Sequence, residues 1–311
     1  MCGIVGLYAK SDGIRQNLGK HVGAMLEQMG ERGPDSAGVA FYADSAVGSG
    51  SAGSESSKVT VQHDQSEHID KIEKAVQQKF SDVELKRRGT HMVIESTQSP
   101  ATMEEWVRSS FPELRVMSAG ERIEIYKEKG HPSQFVSNYA LHEVSGSHAL
   151  AHTRMATESA ITTSHSHPFS TGLDLCLVHN GSLSNHNRLR EKLLRVGIRF
   201  ETDNDSEVAA GFLTWRLSQG DSLRQALSVA IRELDGFYTF AIGTRDGFAV
   251  LRDPVACKPA VLAETDDWVA MSSEFRAIAQ LPGAETARVW EPVPAQIYTC
   301  LLYTSPSPRD S

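Results

Sequence analysis

The chain of 311 residues lacks long apolar runs, clustered cysteines and an excess of basic side chains. Because no apolar run is long enough to cross a bilayer and no stretch reads as a signal peptide, we expect neither a membrane span nor a leader. The formal net charge of -8 argues against nucleic acid or an anionic membrane as the main partner. The four cysteines lie far apart, without the spacing of a metal site or a disulfide framework. A cytoplasmic location with reduced thiols is therefore expected.

The hydrophobic content of 40% is enough to bury a large core, as one domain or two. A Gly/Ser-rich stretch begins at Ser45, and behind it the order of predicted elements is β-α-β-β-α-β, which is typical of a ferredoxin-like module. We therefore predict an inserted small α+β module over residues 43–146. The flanking segments, 1–42 and 147–299, combine strands with paired helices and predict a layered α/β sandwich.

The last residues, CLLYTSPSPRDS, fit nothing that precedes them. One interpretation is a disordered Ser/Pro-rich tail. The string also resembles a translated sequencing adapter, and we predict that residues 300–311 are a non-native tail.

The first residues, MCGIVGL, place a cysteine directly after the initiator methionine. Cys2 can be a small apolar residue that opens a buried strand, since Ile4 to Tyr8 has the pattern of one. A lipid anchor is disfavoured, because no apolar leader precedes the cysteine and myristoylation needs glycine at position 2. A third interpretation is chemical. Removal of Met1 would leave Cys2 with both a thiol and a free α-amine, and such an amine can act as a general base near neutral pH.

Five segments together decide between these interpretations: MCGIVG at the start, RGPDSAG at 32–38, AHTRMAT at 151–157, VHNGSLSNHNRLR at 178–190 and ETDNDSEV at 201–208. In this order they resemble the glutaminase domain of class II glutamine amidotransferases. The resemblance covers residues 1–42 and about 147–299. It implies an α/β N-terminal-nucleophile hydrolase fold with four layers, α/β/β/α, and glutamine hydrolysis as the activity.

The resemblance implies catalytic roles for Cys2, Asn180 and Gly181. Cys2 would attack the side-chain amide carbon of glutamine, and its α-amine would accept the thiol proton and return it to the leaving ammonia. Asn180 and Gly181 would supply a side-chain amide and a backbone N–H to the oxyanion. From the pattern alone, Asn-Gly is instead the strongest short signal for a hairpin turn.

The resemblance also implies the substrate-binding residues. Arg154 would pair with the α-carboxylate of glutamine, for which its planar fork is suited. Asp205 would hold the α-ammonium, although its position alone is more typical of a structural salt bridge or of an acidic side chain near a helix N-terminus. Thr157 matches a substrate-contacting position, and Arg32 lies on a Gly/Pro-rich loop expected beside the pocket. Asp203, two residues before Asp205, is the alternative if the register is misjudged.

No metal site is predicted. His165 and His167 have a spacing of two, but no third ligand lies at suggestive spacing, and the match of His167-Pro168 is to a loop that binds no metal. His152, His179 and His186 are interpreted as structural.

Class II amidotransferases couple glutamine hydrolysis to an ammonia-using synthase. The domain arrangement resembles the separate glutaminase-like subunit of N-methylglutamate synthase and glutamate-synthase-like systems. That implies a separate synthase partner carrying flavin and an iron–sulfur cluster, with no cofactor on this chain. The alternatives are a stand-alone N-terminal-nucleophile amidase and a catalytically silent scaffold. The predicted module would dock the partner or cap the pocket, or be an inert decoration.

Overall fold

A computed structural model describes residues 2–44, 57–63, 66–155 and 161–301. The strands, in chain order, are β1 (Gly3–Ala9), β2 (Ser36–Ala43), β3 (Ser57–Gln62), β4 (Glu84–Arg88), β5 (His91–Ser96), β6 (Arg115–Gly120), β7 (Ile123–Lys129), β8 (Gly146–Arg154), β9 (Phe169–Gly172), β10 (Leu175–Leu183), β11 (Gly236–Thr244), β12 (Gly247–Arg252), β13 (Val261–Glu264), β14 (Trp268–Ser272), β15 (Arg288–Trp290) and β16 (Ile297–Leu301). The helices are α1 (Asp12–Gln16), α2 (Leu18–Gln28), α3 (Ser66–Lys79), α4 (Pro100–Ser110), α5 (Pro132–Asn138), α6 (His186–Arg195), α7 (Asp205–Ser218), α8 (Leu223–Glu233) and α9 (Phe275–Ile278).

Two antiparallel sheets form the core. One has seven strands in the order β15-β13-β14-β1-β8-β2-β7, and the other has five in the order β16-β12-β11-β10-β9. β1 lies inside the larger sheet, where it pairs with β14 from Val5 onward and with β8 from Gly3 onward.

Side-chain alternation along β1 explains the layers. Val5 and Leu7 face a cluster that includes Leu26 of α2, whereas Ile4 faces the second sheet and shares a cluster with Val178 of β10. A strand buried on both faces needs apolar residues at consecutive positions, and each such side chain contributes about 1.5–3 kcal/mol on burial. The five-stranded sheet packs its other face against α6, α7 and α8. The predicted α/β/β/α sandwich is confirmed.

The inserted ferredoxin-like fold is also confirmed. β3 to β6 form a separate four-stranded antiparallel sheet in the order β4-β5-β3-β6. α3 and α4 pack on it through a cluster containing Ile72, Val76 and Met103.

The four-stranded sheet is joined to the core by more than a simple linker. β7 follows β6 directly but pairs with β2 along Ser36–Tyr42, so a strand inside the predicted insertion is the edge of the seven-stranded sheet. Lys58 of β3 reaches across the junction, and its ammonium lies 2.6 Å from the carboxylate of Glu124 on β7. Both side chains are buried. The boundaries at 43 and 146 stay a prediction.

The five-stranded sheet continues into the first two residues of the predicted tail, and the non-native origin of residues 300–311 stays a prediction. Cys300 and Leu301, assigned above to the tail, continue β16 and pair with Phe248 and Gly247. The strand ladder extends there because β12 offers an open edge. Residues 302–311 lie outside the described residues.

Candidate active site

Five of the predicted site residues line one cleft of about 680 Å³: Cys2, Arg154, Asn180, Gly181 and Asp205. They come from the start of β1, the end of β8, the end of β10 and the start of α7. Because β1 and β10 lie in different sheets, the cleft opens where the two sheets end together. Thr157 lies outside the described residues.

Cys2 is half-buried and is held through its backbone. Its carbonyl oxygen accepts hydrogen bonds from Arg32 Nε at 3.0 Å and from Asn180 Nδ2 at 3.3 Å. Two residues further on, the amide of Ile4 donates to Ser273 Oγ at 3.0 Å. These contacts hold the backbone on which the Cys2 side chain is carried.

Arg32 is not among the described residues that line the cleft. Its guanidinium lies between the Cys2 carbonyl and the carboxylate of Glu274, and it is 8% exposed. The geometry therefore gives Arg32 a contact with the backbone of Cys2, and its predicted contact with substrate stays a prediction.

Asn180 and Gly181 do not form a hairpin turn. They lie within β10, where Asn180 pairs with Thr239 and Gly181 with Tyr238 of β11. Gly181 has φ +149°, and a Cβ there would lie 2.0 Å from the carbonyl oxygen of Phe237. Only glycine fits, because that φ is strained for other residues and a side chain would collide with the neighbouring strand.

Asp205 is the first residue of α7. Its carboxylate accepts the amide of Leu183 at 2.9 Å and lies 3.8 Å from His179 Nδ1. Asn204 is the N-cap of α7, and its side chain accepts a hydrogen bond from the amide of Ser206 at 2.8 Å. This cap fixes the backbone at the start of the helix, where Asp205 lies. Asp203 also lines the cleft, but its carboxylate is bound to His165 Nε2 at 2.9 Å.

Arg154 ends β8 and is 7% exposed. Its Nη1 donates to the carbonyl of His165 at 3.3 Å, which ties the guanidinium to the loop that follows. The planar guanidinium fork of Arg154 has the geometry that suits a bidentate contact with a carboxylate.

A buried histidine cluster lies beneath the cleft and was missed as a unit by sequence reasoning. Ser206 Oγ is 2.8 Å from both His167 Nε2 and His179 Nδ1, and the rings of His152 and His167 are tilted by 31° with their centroids 4.1 Å apart. Burial lowers the pKa of His152 to about 3 and lowers the pKa values of His167 and His179 as well. The three rings are therefore neutral at neutral pH. Because a hydroxyl has one proton, at least one ring donates its N–H to Ser206.

Lys258 is a second feature without a sequence signal. It lines the cleft, and its ammonium lies 5.1 Å from the ring centroid of Phe237. Its loop approaches the site only because β12 returns beside β11.

Within the described residues, no group of three His, Cys, Asp or Glu side chains is arranged to hold a metal ion. None of the described helices is long and apolar enough to cross a membrane.

The chain resembles known proteins along most of its length. The family described as glutamine amidotransferase domain matches residues 152–280. The glutamine amidotransferase-like protein GlxB of Rhizobium meliloti is 49% identical over 96% of this chain and 97% of that protein. An amidophosphoribosyltransferase of Synechococcus elongatus is 32% identical over 46% of this chain and 30% of that protein.

Two solved structures share the fold. The chain superimposes on glutamine phosphoribosylpyrophosphate amidotransferase from B. subtilis with a TM-score of 0.57 at 18% identity, covering 98% of this chain. An allosteric regulatory enzyme of purine biosynthesis gives a TM-score of 0.60 at the same identity and coverage. The chain spans half the length of each of these two structures.

The chain thus shares the fold of these two structures. The chain belongs to the glutamine amidotransferase family, as an enzyme of the class II type.

Proposed function

We propose that this chain hydrolyses L-glutamine to glutamate and ammonia with Cys2 as the nucleophile. The observation that carries the proposal is the convergence of Cys2, Arg154, Asp205 and the Asn180-Gly181 pair on one cleft. A cation and an anion that line the same cleft match the two charges of an amino acid, and the amide donors match a developing oxyanion.

The reaction begins once removal of Met1 frees the α-amine of Cys2. The amine takes the thiol proton, and sulfur attacks the amide carbon of glutamine. The oxyanion is stabilised by Asn180 and by the backbone N–H of Gly181. Its collapse breaks the C–N bond, the protonated amine gives its proton to the departing ammonia, and a thioester remains. Water then attacks the thioester, releases glutamate and restores the thiol.

Arg154 and Asp205 hold the α-carboxylate and the α-ammonium during both steps. Arg32 supports the same geometry from outside the cleft, since it binds the Cys2 carbonyl at 3.0 Å. Thr157 would add a further contact to the substrate.

The ammonia passes to a separate synthase subunit of the N-methylglutamate synthase or glutamate-synthase-like kind, whose flavin and iron–sulfur cluster lie on that partner. The domain arrangement supports this step. Mixing the chain with such a synthase and glutamine labelled with ¹⁵N at the amide tests it. Label in the amino acid product is expected, and label found only in free ammonia would count against the coupling.

Intact-protein mass spectrometry with a diazo-ketone analogue of glutamine tests the nucleophile. We expect loss of Met1 and one adduct on Cys2, blocked by glutamine. Cys257 is exposed and serves as the internal control for unspecific alkylation. A Cys2→Ala variant should take no adduct. An adduct on Cys257 alone, or none on protein that has lost Met1, would refute the assignment and favour a scaffold.

A further inference from the structure

A loop over residues 161–168 stands between the cleft and β7. On the cleft side, His167 lines the cavity, and the carbonyl of His165 holds Arg154 Nη1 at 3.3 Å. Movement of this loop would therefore displace both a side chain that lines the cleft and the carbonyl that binds Arg154.

On its other side, the loop is held by Lys127 of β7. The Lys127 ammonium donates to the carbonyls of Ser164 at 3.3 Å, Ser166 at 3.0 Å and Pro168 at 3.3 Å. The Lys127 side chain is buried, and its ammonium also lies 4.7 Å from the ring centroid of Phe169. A buried ammonium needs polar partners to replace water, and here main-chain carbonyls of a single loop supply them.

Two neighbouring residues reinforce the contact. Glu128 accepts a hydrogen bond from Thr163 Oγ1 at 2.5 Å, so β7 holds the loop at a further point. Gly38 of β2 pairs with Lys127, and a Cβ at Gly38 would lie 2.1 Å from the carbonyl oxygen of His167 and 2.6 Å from Lys127 Cβ. The close approach of loop, β2 and β7 thus depends on a glycine.

We propose that Lys127 is a positioning residue for glutamine recognition, which holds the 161–168 loop so that Arg154 and His167 keep their places in the cleft. The inference rests on the proposed function. It also connects the inserted module to the site, because β7 follows directly from β6 of the module sheet.

The test separates recognition of glutamine from reactivity of the thiol. Cys2 is labelled in one series with the diazo-ketone analogue of glutamine and in another with iodoacetamide, which needs no amino acid recognition. In Lys127→Met we expect the rate of analogue labelling to fall about tenfold, the size that loss of a buried charged hydrogen-bond partner produces. The rate with iodoacetamide should stay within about twofold. Lys127→Arg, which keeps the charge, should recover part of the loss.

Lys58→Met is the matched control, since Lys58 is also a buried lysine beside β7 but binds Glu124 and the carbonyls of residues 43 and 44 instead of the loop. Labelled under conditions in which circular dichroism shows both methionine variants to be folded, it should match the wild type in its rate with the analogue. Equal losses in both methionine variants, or parallel losses with both reagents in Lys127→Met, would overturn the inference.

Thr163→Val removes only the hydroxyl that binds Glu128, and it carries the test if Lys127→Met fails to fold. A smaller loss of analogue labelling is expected, and an unchanged rate would then refute the positioning role. A wild-type protein that takes no analogue but reacts with iodoacetamide would instead refute the proposed function.

Discussion

Gly181→Ala tests the oxyanion role by changing a single hydrogen atom to a methyl group. The new Cβ would lie 2.0 Å from the carbonyl oxygen of Phe237 and 2.8 Å from His179 Nε2, so the backbone of β10 must shift. A shift there misdirects the N–H of Gly181 and the side chain of Asn180 together. Loss of one oxyanion donor costs about 2.7–4 kcal/mol of transition-state stabilisation, and we expect kcat/KM for glutamine hydrolysis to fall about 10²–10³-fold.

The control for this substitution is Gly220→Ala. Gly220 also has a positive φ, +90°, but a Cβ there would meet nothing within 4 Å. It therefore carries the backbone strain of alanine, about 1–3 kcal/mol, without the collision. Steady-state glutaminase kinetics and the free energy of unfolding would be measured for both variants. The oxyanion assignment is refuted if Gly181→Ala keeps kcat/KM within about threefold of the wild type while both variants remain folded.

Two further predictions concern stability. Lys58→Met should destabilise the protein by about 3–5 kcal/mol, because it leaves Glu124 as an uncompensated buried charge, and adding Glu124→Leu should restore much of the loss. Denaturant unfolding of the wild type, the two single variants and the double variant measures both effects. A Lys58→Met protein as stable as the wild type would contradict the reasoning. Burial lowers the pKa of both His148 and His152 to about 3 from an ordinary 6.5, so the unfolded chain binds more protons between these values and stability must fall as the pH drops through this window. The expected slope is about 1.4 kcal/mol per pH unit for each such histidine, and unfolding free energies that stay flat from pH 6.5 to 4 would show that the rings are not buried neutral.

Local patterns along the chain were sufficient to predict the layers of the core and the fold of the inserted module. Consecutive apolar residues at Ile4 and Val5 predict a strand buried on both faces, and the structure places one toward each layer. The alternation of strands and helices behind the Gly/Ser stretch predicted the ferredoxin-like sheet. These features depend on neighbours within a few residues, so the hydrophobic periodicity of the sequence is enough to predict them.

Such patterns do not predict which strands pair when the strands are far apart in sequence. β7 has the same alternation whether it continues the module sheet or joins β2, and only the docked structure decides for β2. The Asn180-Gly181 pair has the local signature of a turn, yet its pairing with the neighbouring strand β11 keeps it extended within β10. In both cases the deciding hydrogen bonds are made with residues far away in sequence.

The sequence by itself determined which residues the proposed chemistry uses: Cys2 behind the initiator methionine, and the motifs that hold Arg154, Asn180 and Asp205. Only the tertiary structure decided what supports them. The Ser206 hydroxyl joins two histidines 27 and 39 positions away, and Lys127 binds three carbonyls of a loop some 40 residues further on. The physical reason is that a reactive group is specified by its own side chain, whereas its orientation and ionisation depend on burial and on partners that only folding brings together.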